Sequence, residues 1–438
     1  MKFKVINFGC KVNTYESTYL EEKLINDGFL EANGEEKPDF IIINTCSVTN
    51  MADTKCKKTI RRLKRENPNA VLVATGCSVQ NNFDEYKDMG INIIVGNFNK
   101  SLIPELCKEY LKNKENIYMK NDNRKQNFEN MNLLSFTKHT RAFIKVQDGC
   151  DNFCSYCVIP LLRGSIRSKT FSDAVNEAKE LSKNGHNEIV LVGIHTGSYN
   201  DNGKDLVDLI NEISKIDEVK RIRISSIEIT ELNDKFMEML KSNDKVVDHL
   251  HIPLQSGSEK ILKLMNRKYD KKYFYDKLQL IRSIRPNINI TTDVIVGFPG
   301  ETDEDFAECL EFCKTLEFGK IHVFPYSKRN NTKAALMPDQ VKDDVKKKRD
   351  LQLIRLSDIL SSTYEEGFIG KKMQVIAEKN HKNEIVGFTS NYIKVFIVNP
   401  GNTKPGDIID VELINRENDY VNAKIIERSW KECKIYKA

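Results

Sequence analysis

Residues 150 to 157 read Cys150-Asp151-Asn152-Phe153-Cys154-Ser155-Tyr156-Cys157, directly after the apolar run Ala142-Phe143-Ile144-Lys145-Val146. Three thiols spaced C-x3-C-x2-C on one short loop after a strand are soft ligands that suit an iron–sulfur cluster. Four irons held by three cysteines leave one iron without a protein ligand, and a cofactor or substrate can take that position. Zinc is the other reading of such thiols, but zinc loops usually pair two C-x2-C halves, and no second half stands near Cys157.

Downstream, the alternation continues. Strands are expected at Ala142 to Val146, Glu188 to Val192, Arg221 to Ser225, His249 to Ile252, Asn289 to Val296 and Lys320 to Phe324. Helical periodicity separates them at Asp173 to Asn184, Asp205 to Ser214, Asn233 to Lys241, Lys271 to Ile284 and Asp303 to Leu316. Six β/α units with right-handed crossovers predict a curved, incomplete (β/α)6 barrel, whose functional loops follow the strands. Polar groups at those strand ends are candidate ligand contacts. Gly193, Thr196, Gly197 and Tyr199 follow the second strand, Ser225, Ser226 and Glu228 the third, and His251, Gln255, Ser256 and Gly257 the fourth. Asp293 lies within the fifth strand, and Gly297 to Glu301 follow it as a turn. Any of these residues can instead shape its loop. Tyr156 is placed to pack against a ligand's ring, and His322, inside a strand, reads as a core histidine.

Upstream, three apolar runs, Lys4 to Phe8, Phe40 to Ile43 and Val71 to Ala74, are each followed by a helical pattern, with a fourth run at Ile91 to Val95. This predicts a parallel α/β sheet. The first three runs end in Cys10, Cys46 and Cys77, so all three thiols are expected at the carboxyl edge of one sheet, where open α/β folds bind ligands. A single such cysteine reads as a buried thiol; three at equivalent strand ends argue for a second three-cysteine cluster. Cys56, on an apolar helix stripe, and the Cys309/Cys313 pair read as core. Cys107 and Cys433 carry no spacing signal.

The chain has 438 residues and a formal net charge of +5, with 30% charged residues and a mean hydropathy of −0.48. That length predicts several domains. No apolar run approaches a membrane span, and Met1 to Asn7 reads as a strand rather than a signal peptide, so a cytoplasmic location and reduced thiols are expected. From Lys55 to Arg65, KCKKTIRRLKR holds seven basic residues and no acid. As a helix it sets Cys56, Ile60 and Leu63 on one stripe and gathers cations opposite, a face for phosphate or a merely solvated surface. Residues 111 to about 132 read as a linker, Pro338 to Glu366 as a charged helix, and five alternating runs beyond Gly370 as a small β-barrel with a slight basic bias.

With both cysteine sets placed, the chain resembles, over essentially its whole length, the methylthiotransferases of the radical S-adenosylmethionine superfamily. The segment Asn44-Thr45-Cys46-Ser47-Val48-Thr49-Asn50, the basic helix after it, and Gly149 to Cys154 are most similar to the branch that modifies N6-threonylcarbamoyladenosine beside the tRNA anticodon. Pro160 to Arg167 and His251 to Gly257 also look like family segments. The resemblance implies an α/β protein in three parts: an N-terminal domain over 1–110, a linker over 111–135, a radical S-adenosylmethionine core over 136–367 and an RNA-binding TRAM barrel over 370–438. It implies two 4Fe-4S clusters, an auxiliary one on Cys10, Cys46 and Cys77 and a catalytic one on Cys150, Cys154 and Cys157. S-adenosylmethionine is the further cofactor, with Tyr156, Gly193, Thr196, Ser226 and Gln255 as its expected contacts. The tRNA anticodon arm and a low-potential electron donor are the implied partners. Isopentenyl-type adenosine and a ribosomal-protein aspartate remain alternative targets, and a non-catalytic iron–sulfur RNA sensor an alternative class. One feature departs from the wider superfamily: its Gly-Gly-Glu turn is replaced here by Gly193-Ile194-His195-Thr196-Gly197.

Overall fold

Phe40, Ile41, Ile42 and Ile43 are all fully buried, as an apolar run without polar alternation requires of a strand covered on both faces. Phe40 and Ile42 pack with Phe3, Leu20, Val73 and Ile93 on one side of the sheet; Ile41 and Ile43 pack with Ile60, Leu63, Leu72 and Ala74 on the other. The structure is a computed structural model that describes every residue except 48, 121, 123–125, 137, 380–383, 399 and 427–438. Cys433 and Asn399 therefore lie outside the described residues.

Strands β1 (Lys2–Asn7), β2 (Leu30–Glu31), β3 (Phe40–Thr45), β4 (Val71–Gly76), β5 (Ile93–Val95) and β6 (Ile117–Met119) form one sheet in the order β2-β1-β3-β4-β5-β6. Every pairing is parallel. Helix α1 (Lys11–Asn26) leaves β1 toward β2, whereas β3 lies on the other side of β1. The strand order thus reverses between β1 and β3, which opens a crevice at their carboxyl ends. Helix α2 (Asn50–Glu66), capped by Thr49 Oγ1 accepting from Ala52 N at 3.1 Å, buries Cys56, Ile60 and Leu63 and no other residue. Helix α3 (Cys77–Asn81) follows β4.

The stretch read as a linker is in part built into the fold. Ile117–Met119 is the edge strand of the sheet, and Met131 and Leu133 are buried in the core of the next unit. Few apolar residues mark either piece, which is why periodicity passed over them.

The central unit sets six parallel strands side by side in chain order: β7 (Ala142–Lys145), β8 (Glu188–Val192), β9 (Arg221–Ile224), β10 (His249–His251), β11 (Asn289–Val296) and β12 (Lys320–Pro325). The ladder narrows between β9 and β10 to a bridge at Ile222 and Val246. Among the described residues β7 and β12 do not pair with each other, so the ring is open, as expected. The helix Asp343–Glu366 packs along β12, where Ile321 N donates to Ser357 Oγ at 2.9 Å. The last unit is a closed barrel of β13 (Lys372–Lys379), β14 (Ile385–Thr389), β15 (Lys394–Val398), β16 (Ile408–Glu417) and β17 (Tyr420–Ile425), in the order β13-β14-β15-β17-β16. It sits against the amino ends of the central strands: Arg221 donates to Phe388 O and Gln374 O at 3.1 and 2.8 Å.

Candidate functional site

The loop after β7 is held in one shape by its backbone. Gly149 has φ +78°, and a Cβ there would lie 2.0 Å from Ser165 O, so only glycine lets Cys150 N donate to Gly164 O at 3.1 Å. Ser155 N and Oγ donate to Met265 O and Leu264 O at 3.1 and 2.8 Å. Asn266 Nδ2 donates to Phe153 O at 3.0 Å, Phe153 being itself left-handed at φ 48°. The three thiols of this loop and those of Cys10, Cys46 and Cys77 all line one cavity of about 1770 Å³.

Cys10 and Cys46 follow β1 and β3 at the crevice, and Cys77 follows β4 beside them. The approach is close: a Cβ on Gly9, at φ +105°, would stand 2.7 Å from Cys46 Sγ. Cys10 is exposed to the cavity, where the loss of water around it raises its thiol against the charge of Arg163, and burial pushes Cys157 up to about 12. Neutral thiols that are costly to ionise in isolation become thiolates when a cationic centre binds them. Guanidinium groups attend both sets. Arg163 Nε lies 3.3 Å from Cys77 Sγ, and Arg267 Nη1 lies 3.3 Å from Cys154 Sγ while its Nη2 donates to the Glu228 carboxylate. Asn97 Nδ2 adds a donor 3.6 Å from Cys77 Sγ.

His195 joins the loop to β8. Its Nε2 is 2.5 Å from Glu231 Oε1. Burial works against its charged form, yet hydrogen bonds to Cys150 and Glu231 hold the imidazolium up to about 10.

All five residues expected to meet S-adenosylmethionine, Tyr156, Gly193, Thr196, Ser226 and Gln255, line this cavity. Thr196 is fully buried, and its Oγ1 has no hydrogen-bond partner. Gln255 holds φ +69°, with its N donating to Asp293 O at 2.8 Å. A non-glycine residue in that region is strained and persists where its surroundings fix it, as at ligand sites. Tyr156 meets Phe298 edge to face at 6.4 Å.

Of the other strand-end candidates, Ser225, Glu228, His251 and Asp293 also line the cavity, whereas Gly197, Tyr199, Ser256, Gly257 and Glu301 pack instead. A Cβ on Gly197 would collide with Glu231 Oε2, and one on Gly257 would stand 2.7 Å from Cys309 Cα. Tyr199 is buried in the core, and Glu301 pairs with Arg349 at 2.6 Å. Cys56, Cys107, Cys309 and Cys313 are buried, as expected for three of them and without a prior reading for Cys107. His322 corrects the reading as a core histidine: it is exposed to the cavity, its ring 5.6 Å from that of His251. A strand of an open ring has one face toward the bore, and alternation alone does not tell bore from core. Lys11, Arg163, His195 and Arg267 escaped assignment, although Arg163 and His195 lay in segments already singled out. Arg267, in the turn after the short helix Glu259–Leu264, had no signal.

The Radical SAM superfamily matches residues 144–313, and the family described as Uncharacterized protein family UPF0004 matches residues 2–96. A Bacillus subtilis (strain 168) protein named Threonylcarbamoyladenosine tRNA methylthiotransferase MtaB is 39% identical, covering 95% of each chain. The chain belongs to the MtaB-like radical S-adenosylmethionine methylthiotransferases. A second relative, from Clostridium botulinum (strain Loch Maree / Type A3) and named tRNA-2-methylthio-N(6)-dimethylallyladenosine synthase, is 34% identical over 89% of each chain. The fold alone is shared with the radical S-adenosylmethionine methyltransferase TsrM from Kitasatospora setae, at a TM-score of 0.57, 14% identity and coverage of 76% and 77%. Membership in this family makes S-adenosylmethionine and 4Fe-4S clusters the cofactors. The donor sets fit them: two thiol triads with guanidinium N–H groups beside their sulfurs, which offset the negative charge of a thiolate-bound cluster.

Proposed function

We propose that this chain is a tRNA methylthiotransferase converting N6-threonylcarbamoyladenosine at position 37, beside the anticodon, to its 2-methylthio derivative. The observation that carries this reading is that both cysteine triads border one cavity, in a chain 39% identical to a protein named for that activity.

Cys150, Cys154 and Cys157 hold the catalytic 4Fe-4S cluster and Cys10, Cys46 and Cys77 the auxiliary one. When bound, these groups supply an electron for cleavage of S-adenosylmethionine and the site from which methylated sulfur is delivered. The protein's own residues orient and enclose. Tyr156, Gly193, Thr196, Ser226 and Gln255 offer a ring face, close backbone and polar groups to S-adenosylmethionine. Arg163 and Arg267 fix the sulfurs they touch.

Lys55, Lys58, Arg61, Arg62 and Arg65 stand exposed on α2 and supply a phosphate-binding face for the anticodon arm. Lys57 is withdrawn from it, paired with Asp53 at 3.0 Å and Glu85 at 2.7 Å. The C-terminal barrel provides the second grip. A low-potential donor supplies electrons. The reaction belongs in the cytoplasm, where tRNA is; among the described residues no helix is long and apolar enough to cross a membrane.

The test is anaerobic turnover of an anticodon stem-loop, whose unstacked loop bases are open to recognition, followed by nucleoside mass spectrometry. Appearance of the 2-methylthio derivative of N6-threonylcarbamoyladenosine is expected. Methylthiolation of a dimethylallyladenosine stem-loop in its place overturns the substrate, and absence of S-adenosylmethionine cleavage overturns the enzyme reading.

A further inference from the structure

His249 and Asn289 begin strands β10 and β11, at the opposite end of the ring from the loops that carry the cysteines, yet both line the same cavity. Each is only 5% exposed, and each keeps one polar atom without a partner: His249 Nδ1 and Asn289 Oδ1. Buried polar atoms are nearly always satisfied, so two orphans in the wall of one cavity point to a ligand there.

The floor of this space comes from the C-terminal barrel. Tyr392 stacks on Phe388 at 4.9 Å, and its ring lies 4.7 Å from that of His249. Arg141 and Arg223 cover the Tyr392 ring at 5.3 and 4.5 Å. Both arginines are neutralised, Arg141 by Glu378 at 2.7 Å and Arg223 by Glu188 at 2.6 Å.

Lys11 is not. It follows Cys10, lines the cavity, and lies within electrostatic reach of Tyr392, His249 and His322. Among the described residues its ammonium makes no hydrogen bond and no ion pair. Lys11 is exposed to the cavity and its nearest carboxylate, Glu188, is already bonded to Arg223, so its ammonium is available to pair an anionic partner.

The neighbouring histidines set the polarity of the rest. Asp293 Oδ2 faces His251 Nε2 at 3.2 Å, so that nitrogen carries a proton. Thr291 Oγ1 stands 2.9 Å from His251 Nδ1 and 3.0 Å from His249 Nε2 and links the two rings. His249 Nδ1 is left without a partner, and a hydroxyl, which both donates and accepts, can meet either tautomer of it.

We propose that Lys11, His249, Asn289 and Tyr392 form the pocket for the L-threonyl end of the adenosine's substituent, with Lys11 Nζ pairing the carboxylate and His249 Nδ1 hydrogen-bonding the hydroxyl. This rests on N6-threonylcarbamoyladenosine being the substrate. A dimethylallyl group has neither anion nor hydroxyl and would leave all of these groups unmatched, which is how such a pocket rejects it.

The test uses full-length protein and three fluorescent stem-loops, the natural carboxylate, its carboxamide and unmodified adenosine, with a dimethylallyladenosine stem-loop as a further turnover substrate. Binding is read by anisotropy at fixed salt and turnover by mass spectrometry. The wild type is expected to prefer carboxylate over carboxamide by on the order of 10- to 100-fold, as for one charge-assisted pair. Lys11→Met should erase that preference and Lys11→Arg should restore most of it. Equal handling of carboxylate and carboxamide by the wild type overturns the pocket while leaving the proposed function intact. A wild type that modifies neither, but modifies a dimethylallyladenosine stem-loop, overturns the function itself. Equal weakening of all three stem-loops in Lys11→Met moves the lysine to a phosphate. A retained preference with weaker S-adenosylmethionine binding, read by equilibrium dialysis, moves it to that cofactor's carboxylate. Both outcomes overturn the proposal. The carboxamide comparison in the wild type needs no variant to fold.

Discussion

Arg163 Nε stands 3.3 Å from Cys77 Sγ, and the same guanidinium donates to Glu16 Oε1 at 3.0 Å, Asp148 Oδ1 at 3.1 Å and Asn13 Oδ1 at 2.9 Å. Asn13, Glu16 and Cys77 belong to the N-terminal sheet unit, while Asp148 and Arg163 flank the C-x3-C-x2-C loop. One buried side chain therefore fixes the spacing between the two thiol triads.

Lysine carries the charge of Arg163 but cannot reach these four partners together. Arg163→Lys is expected to lower bound iron from about eight to about four atoms per chain, the content of one 4Fe-4S cluster. Iron and sulfide analysis checks this, and an unchanged count would show that the Cys77 contact is dispensable.

The two triads should separate in their effects. Cys154→Ala is expected to abolish 5′-deoxyadenosine formation under anaerobic reduction. Cys46→Ala should keep it and lose methylthiolation. Chromatography of the two products on the same samples decides, and loss of both products in Cys46→Ala would contradict the division of labour.

Glu16 is fully buried among Arg163, Lys100 and Lys145. Burial raises its pKa, but the three cations overcome this and hold it well below the ordinary carboxylate range. A folded pKa lower than the unfolded one means stability that is complete above the unfolded value, near pH 4.3, and lost as pH falls from there toward the folded value. Glu16→Gln leaves three buried cations without their shared anion and is expected to cost about 3–5 kcal/mol. It should also flatten the acid limb of the stability curve. Denaturant titrations at pH 7 and pH 4 measure both effects.

On α2, Lys58, Arg61 and Arg65 are exposed. Replacing all three with alanine should weaken stem-loop binding and lower the slope of log affinity against log salt by about 2–3, close to one unit per lost phosphate contact. Lys57→Ala should change the slope less, since that ammonium is already engaged by Asp53 and Glu85. Anisotropy titrations over a salt series separate the two variants.

Much of the architecture was legible because the patterns were strong. Asn289–Val296 and Lys271–Ile284 match their expected bounds, and Cys56, Ile60 and Leu63 are the buried stripe of α2. The cysteine loops were legible for another reason: parallel strands send their carboxyl ends to one edge, so sequence positions far apart acquire a common address. Burial direction was not legible. His322 faces a bore that its strand periodicity could not distinguish from a core, and Met131 and Leu133 enter the barrel core from a polar stretch. Arg267 and Lys11 matter through what they approach across the fold, and nothing local in the chain records those approaches.

Six strands that stop short of closing the circle leave His322 and Phe324 exposed on the last of them. A fully sealed ring would oblige any guest to come in along the axis as a small free molecule. A ring with a missing segment has a side door, through which a single nucleotide can swing inward while its neighbours stay bonded outside. An opening of that kind suits a scaffold that works on one letter of a folded polymer.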